Sequence, residues 1–434
     1  MRILGQTLLT ASLATALLTG VAAAETLAVT HAHIHTLAKA GEIASGTVLI
    51  ENGRIAAVGP DVAIPAGARI IDARGRIVTP GLVVTGSSIG AEEIEGVDPT
   101  VNSGVEGGPL SAGFDIQYSL NPDSTVLPIE RLTGATSALV TPVFRGRRGD
   151  TRETLFSGQA AVISLAEGPD ILLRAHVAMG VDAGDRGAGR AGGARGALIP
   201  ELRGLLAEAR AYQRNRAAYE QNKVHPFALH REDLEALGAV IDGREPLLVE
   251  VHRASDIRQI LAFGRTEKVR LVLSGVEEGW RVAADIAAAQ VPVILDSDED
   301  LPVSFEMLAS TLENAARMTA AGVSVSIHGP SLTTGGKAVR LAAGRAVGHG
   351  LPWAAGLAAV TLNPARAFGV ADRVGSLEPG KSADLVVWSG DPLDTSGAAD
   401  VVIIKGQVQT GRSRQLDLRD RYLKGADGLP PPYH

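Results

Sequence analysis

The sequence predicts an α/β fold: a (β/α)8 TIM-like barrel joined to a small composite β-sandwich domain built from both chain ends. Two observations carry this reading. In the middle of the chain, short apolar runs ("ATSALVTPV", "QAAVISLA", "PLLVEVHR", "VRLVLSG", "VPVILD", "GVSVSIHG") alternate with amphipathic stretches such as "ASDIRQILAFGR" and "SFEMLASTLENAARMTAAG". Apolar strands alternating with helices specify a parallel sheet, and this many units suit a closed barrel. Towards both ends the pattern changes to short β-branched alternation, in "GTVLIENGRIAAVG" and "ARIIDARGRIVTPGL" before the barrel and "ADVVIIKGQVQTG" after it. Asn52-Gly53 between two such runs is a hairpin signal.

Taken in order, residues 1–24 read as a signal peptide. Arg2 supplies the positive start, residues 3–18 an apolar stretch, and Ala22-Ala23-Ala24 a cleavage signal. The apolar stretch is broken by Gly, Thr and Ser and is short for a membrane span. Secretion, into a periplasm, is the expectation. Residues 25–79 and 375–415 are expected to form the composite β domain, 80–374 the barrel and 416–434 a C-terminal tail. The run "DAGDRGAGRAGGARG" at 182–196, Gly-rich and charged, reads as a surface loop.

Composition narrows the chemistry. The chain has 434 residues and a formal net charge of −7, which gives no reason to expect nucleic acid or an anionic membrane as a partner. It contains no cysteine, so disulfides, zinc–thiolate sites and thiol nucleophiles are excluded. Aromatic residues are few, three Trp, five Tyr and seven Phe, which argues against a stacking surface for bases or sugars. No elbow motif marks a serine nucleophile, and the Gly-rich "GVEGG" and "LTTGGK" lack the spacing of a phosphate loop.

Several motifs carry a family resemblance: "TVLIENGRIAAVG" with "AGARIIDARGRIVTPGL", "TLNPARAFGV", "RVGSLEPGKSADLVVWSGDP" and "VVIIKGQVQ". Together they resemble the amidohydrolase superfamily, in particular its imidazolonepropionase-like secreted members, over nearly all of the chain after residue 24. "EVHRASDIRQILAF" is similar to that subgroup's fifth-strand signature. The resemblance implies a barrel that uses zinc or another divalent metal to hydrolyse C–N bonds of amides, cyclic amides or dipeptides. It also implies Asn363-Pro364-Ala365 as a helix after the barrel and the 380–384 turn as the return to the β domain.

The same resemblance locates the metal ligands, and here the chain departs from the pattern. The family's first barrel strand ends P-G-x-I-D-x-H-x-H; this chain reads Pro80-Gly81-Leu82-Val83-Val84-Thr85-Gly86-Ser87-Ser88, so Gly86 and Ser88 stand at the two His positions. The fifth-strand pair is Glu250 and His252, one His retained and one replaced. Ser274 stands where the sixth strand supplies a His, and Pro330 where the eighth supplies the Asp general base. A catalytic Zn²⁺ needs about three protein ligands and lowers the pKa of its water to about 7. Gly has no donor, a neutral Ser hydroxyl is a weak one, and Pro accepts no proton.

The expectation is therefore an eroded metal centre, with no cofactor assigned, in a protein that is non-catalytic or altered. It would bind a small amide or peptide-like ligand, or act as the partner of an active relative; a homo-oligomer or a hetero-oligomer with a related amidohydrolase is expected. The alternative is an active hydrolase with a rebuilt single-metal site around Glu250, His252 and His328, the acids Asp296, Asp298 and Asp300 lying nearby in sequence. A second H-x-H pattern, His31, His33 and His35 in "THAHIHT", falls in the β domain, away from the family's ligand positions, with all three expected on one strand face.

Overall fold

In a computed structural model, residues 26–107, 110–145, 155–221, 223, 225–329 and 335–423 are described. The expected signal peptide at 1–24, Pro330 and most of the expected tail lie outside them.

Two eight-stranded sheets organise the chain. The first is assembled from both ends. Strand Thr26–His35 pairs antiparallel with Glu42–Glu51, which continues through the Asn52-Gly53 turn into Arg54–Gly59. On its other side Thr26–His35 pairs with Arg69–Asp72 and then with Ile77–Pro80. Leu385–Trp388, Ala399–Ile404 and Gln407–Val408 extend the sheet from the C-terminal part. Alternating residues Leu27, Val29, Val48, Ile50, Leu385 and Val387 supply its own hydrophobic core.

The second sheet is the barrel. Its strands are Leu82–Ser87, Ala135–Val140, Phe156–Ser164, Leu172–Asp182, Leu247–Val251, Leu271–Gly275, Val293–Asp296 and Val325–His328, neighbours in that order. The Thr85 hydroxyl donates to the Ile327 carbonyl at 3.0 Å, stitching the first strand to the eighth. The strands are apolar on both faces, as expected of a sheet covered by helices. Helix Arg195–Arg214 shows the covering pattern, burying Leu198, Leu202, Leu205, Leu206, Ala209 and Tyr212 along one stripe.

One strand departs from the regular alternation. Phe156–Ser164 runs antiparallel to both neighbours, and no helix separates it from Leu172–Asp182. A parallel crossover needs a dozen or more residues, whereas the link between these two strands is a short turn. The run 182–196 also differs from the expected loop: residues Asp185–Arg190 are helical and Arg195 opens the long helix. Its charges are tied to neighbours. Arg190 reaches Asp182 at 3.3 Å and covers the Phe144 ring at 3.8 Å, and Arg195 reaches Asp256 at 2.5 Å. Asn363 lies in helix Leu362–Ala367, as the resemblance implies, and its amide donates to the Val325 carbonyl at 2.7 Å.

Candidate functional site

Parallel barrel strands bring their C-terminal ends to one face, which is where the predicted residues meet. In the ladders Asp182, Glu250 and Ser274 stand side by side, and Asp296 stands beside His328. These positions surround a mouth cavity of about 610 Å³, lined by Gly86, Glu250, His252, Ser274, Asp296 and His328 among others. Ser88 is not among the lining residues; it is buried, and its hydroxyl donates to Glu92 at 3.1 Å. Gly86 contributes only backbone. Its φ of +63° is one that L side chains rarely adopt, and a Cβ there would touch His328 Cβ at 3.5 Å. The eighth-strand histidine thus stands against the position from which the family's ligand would project. His328 Nδ1 lies 3.0 Å from the Gly329 carbonyl.

The centre of the site is His252. It follows the fifth strand and precedes helix Ala254–Glu267. The turn after the sixth strand is folded back onto it: Val276 N–H donates to the Val251 carbonyl at 2.8 Å and Glu278 N–H to the His252 carbonyl at 3.1 Å. That turn places Glu277 Oε2 2.6 Å from His252 Nδ1. The adjacent Glu278 caps the helix, accepting from Ala254 N–H at 3.0 Å. On the other side of the ring, His252 Nε2 lies 3.6 Å from Glu250 and 3.9 Å from Glu306. Glu306 is occupied by Asp185 N–H and Arg195, each at 3.0 Å.

Electrostatics follow from this arrangement. Burial works against a charge on His252, but the carboxylates of Glu250 and Glu277 on either side of the ring outweigh it and carry the pKa up to about 10. The same contact with His252 holds Glu250 below the usual carboxylate range, although burial opposes it. Asp182 and Asp296 are pushed up, chiefly by burial. Asp298, predicted nearby, is turned outward to Arg345 at 2.5 Å.

The residues of the mouth do not fit the divalent metal that the family resemblance implies. Gly86 offers no donor, Ser88 is committed to Glu92, and Ser274 is a neutral hydroxyl. Glu250 and His252 Nε2 converge, but among the described residues no third His or acidic ligand atom lies within 4.8 Å of both. Among the described residues, the one set of three His or acidic side chains with ligand atoms all within 4.8 Å of one another is His33, His35 and Glu42. Those three belong to the other sheet, and none lines the barrel mouth.

Sequence reasoning missed Glu277, Glu306 and Gly275. Gly275 has φ +85°, and a Cβ there would lie 2.6 Å from His252 Nδ1, so glycine is what leaves room for the buried imidazole. The "SGVEEG" run after the sixth strand was the available signal for Gly275 and Glu277. Glu306 had none, because it arrives from a long excursion after the seventh strand.

A family model described as the amidohydrolase family matches residues 250–410. Amidohydrolase tasK of Hapsidospora irregularis is 25% identical over 408 residues, covering 84% of this chain and 40% of its own length. The chain therefore spans about two-fifths of that curated relative. Among solved structures, an amidohydrolase from Thermotoga maritima MSB8 matches with a TM-score of 0.76 at 23% identity, over 89% of this chain and 100% of that one. A prolidase complexed with N-methylphosphonate-L-proline matches with a TM-score of 0.51 at 16% identity, over 88% and 99% of the two chains. At these identities the two structural matches speak to the fold.

Proposed function

Because this chain belongs to the amidohydrolase superfamily, we propose that it keeps the family's barrel-mouth pocket as a binding site for a small amide or peptide-like ligand, without metal-activated hydrolysis. The observation that carries this reading is the pairing of His252 with Glu277 and Glu250, in a mouth that supplies two convergent ligands where a catalytic zinc needs about three. An imidazolium held by two carboxylates supplies a fixed positive centre and does not generate hydroxide.

The rest of the cavity suits such a ligand. A volume of about 610 Å³ lies within the ~300–1,000 Å³ range of small-molecule sites. Glu250 is half-open to the cavity and offers acceptor atoms to an amide N–H or an ammonium group. Arg186, exposed at the rim, offers a fork for a carboxylate. Val303 and Met307 add apolar lining. A dipeptide or N-acyl amino acid presents the complementary set.

Calorimetric titration of a dipeptide and N-acyl amino acid panel tests this. Wild type is expected to bind at least one member, and Glu250→Gln or His252→Asn to weaken it about 5- to 150-fold, equivalent to about 1–3 kcal/mol. A ligand whose affinity is the same in wild type and both variants would remove these residues from the site.

A further inference from the structure

The end-built sheet carries a second constellation. Its strand Thr26–His35 pairs antiparallel with Glu42–Glu51, and the last rung of that ladder sets His35 opposite Glu42. Residues two apart on a strand share a face, so His33 joins them, while Ala32 and Ile34 point the other way into the core. His33 Nε2 lies 2.6 Å from Glu42 Oε1, and the His33 and His35 rings are 4.7 Å apart. The intervening turn fixes this juxtaposition: Gly41 O accepts from both Thr36 N–H at 3.1 Å and the Thr36 hydroxyl at 2.7 Å. Trp353 backs the His35 ring at 4.5 Å and is itself held through Nε1 by Asp391 at 3.0 Å. His31, expected on the same face, is turned away. The pairing is irregular between Val29 and Ala32, His31 takes φ +49°, and its ring bonds Asp72 at 3.0 Å.

We propose that His33, His35 and Glu42 form a binding site for a transition-metal cation of the Zn²⁺, Ni²⁺ or Cu²⁺ class, on the sheet and separate from the barrel mouth. Two imidazoles and one carboxylate are a donor set for these ions, whereas Mg²⁺ and Ca²⁺ prefer oxygen ligands throughout. Bonds of about 2.0–2.1 Å in a tetrahedron set ligand atoms about 3.4 Å apart, so the His33–Glu42 hydrogen bond opens by less than about 1 Å on binding. Glu42 is mostly exposed and has room to move.

The test uses the full chain without an affinity tag, stripped with EDTA. Titration with ZnCl2 in a calorimeter is expected to show one equivalent bound, weakened at least about tenfold by His33→Asn, His35→Asn or Glu42→Gln and unchanged by His31→Asn. Glu42→Gln keeps the site testable even where His35→Asn, which loosens the packing on Trp353, lowers stability. NiCl2 or CuSO4 is expected to quench tryptophan emission, and Trp353→Phe to remove most of the quenching while leaving Zn²⁺ affinity in place. Absence of saturable binding, equal affinity in the three site variants, or binding lost instead on His252→Asn would overturn the proposal.

Discussion

His252 and Glu277 are joined through Nδ1 and Oε2 at 2.6 Å, and each side chain is less than a tenth exposed. The pair makes stability depend on pH. His252 titrates near 10 in the folded protein against about 6.5 unfolded, so its contribution is complete below 6.5 and is lost as pH rises towards 10. Urea unfolding between pH 7 and 9.5 is expected to show wild type losing stability. Glu277→Gln is expected to be less stable by about 3 kcal/mol at pH 7 and to flatten the slope. Wild-type stability that does not fall over this range would mean that the imidazole is neutral.

Glu245 gives a second linkage of the same sign. Its two carboxylate oxygens are buried without hydrogen-bond partners. Burial, aided by Asp115, pushes its pKa up to about 7 against the ordinary 4.5, with His176 and Arg244 opposing. Its stabilising contribution is therefore present below about 4.5 and lost as pH rises through 7. Glu245→Gln should match wild type near pH 4 and exceed it by about 1–3 kcal/mol at pH 8, read from urea midpoints. Equal midpoints at both pH values would show that the carboxyl is solvated.

The glycine behind His252 can be tested against another glycine of similar backbone geometry. Gly275 and Gly322 have φ values of +85° and +89°, but a Cβ at 322 meets nothing within 4 Å. Gly322→Ala is expected to cost the backbone strain alone, about 1–2 kcal/mol. Gly275→Ala, which displaces the buried imidazole, should cost at least about 2 kcal/mol more. Equal losses would show that the imidazole has room to shift.

Metal reloading separates a binding pocket from a hydrolase. Adding Zn²⁺ to the stripped protein is expected to leave hydrolysis of dipeptides and N-acyl anilides at the buffer rate, because the mouth assembles two of about three ligands. Metal-dependent turnover that disappears in Glu250→Gln would instead establish the rebuilt site with His328.

Much of the architecture was legible because it rests on local patterning. Apolar runs marked six of the eight barrel strands, Leu82–Ser87 being placed by the family resemblance and Leu172–Asp182 carrying no such mark, and β-branched alternation marked the end-built sheet. The reversal of Phe156–Ser164 was less legible. An apolar strand buried on both faces looks alike in either direction, and only the short link to Leu172 hinted at it. The charged glycine run at 182–196 read as a loop because Gly weakens helix propensity, yet Arg190 and Arg195 find partners on other elements that hold helices there.

What the sequence supplied by itself is the α/β class, the barrel with its end-built sheet, and a resemblance to the amidohydrolase superfamily that implies donors missing at Gly86, Ser88 and Ser274. What only the tertiary structure decided is which of the remaining groups meet. Glu277 and Glu306 reach His252 from turns after different strands, and Gly275 matters only because that imidazole lies against it. The three histidines of one strand are likewise divided by an irregularity in pairing that sends His31 to Asp72 and leaves His33 and His35 facing Glu42. Local periodicity specifies the face of a strand; distances between side chains distant in sequence are set by register, bulges and the turns that close the barrel.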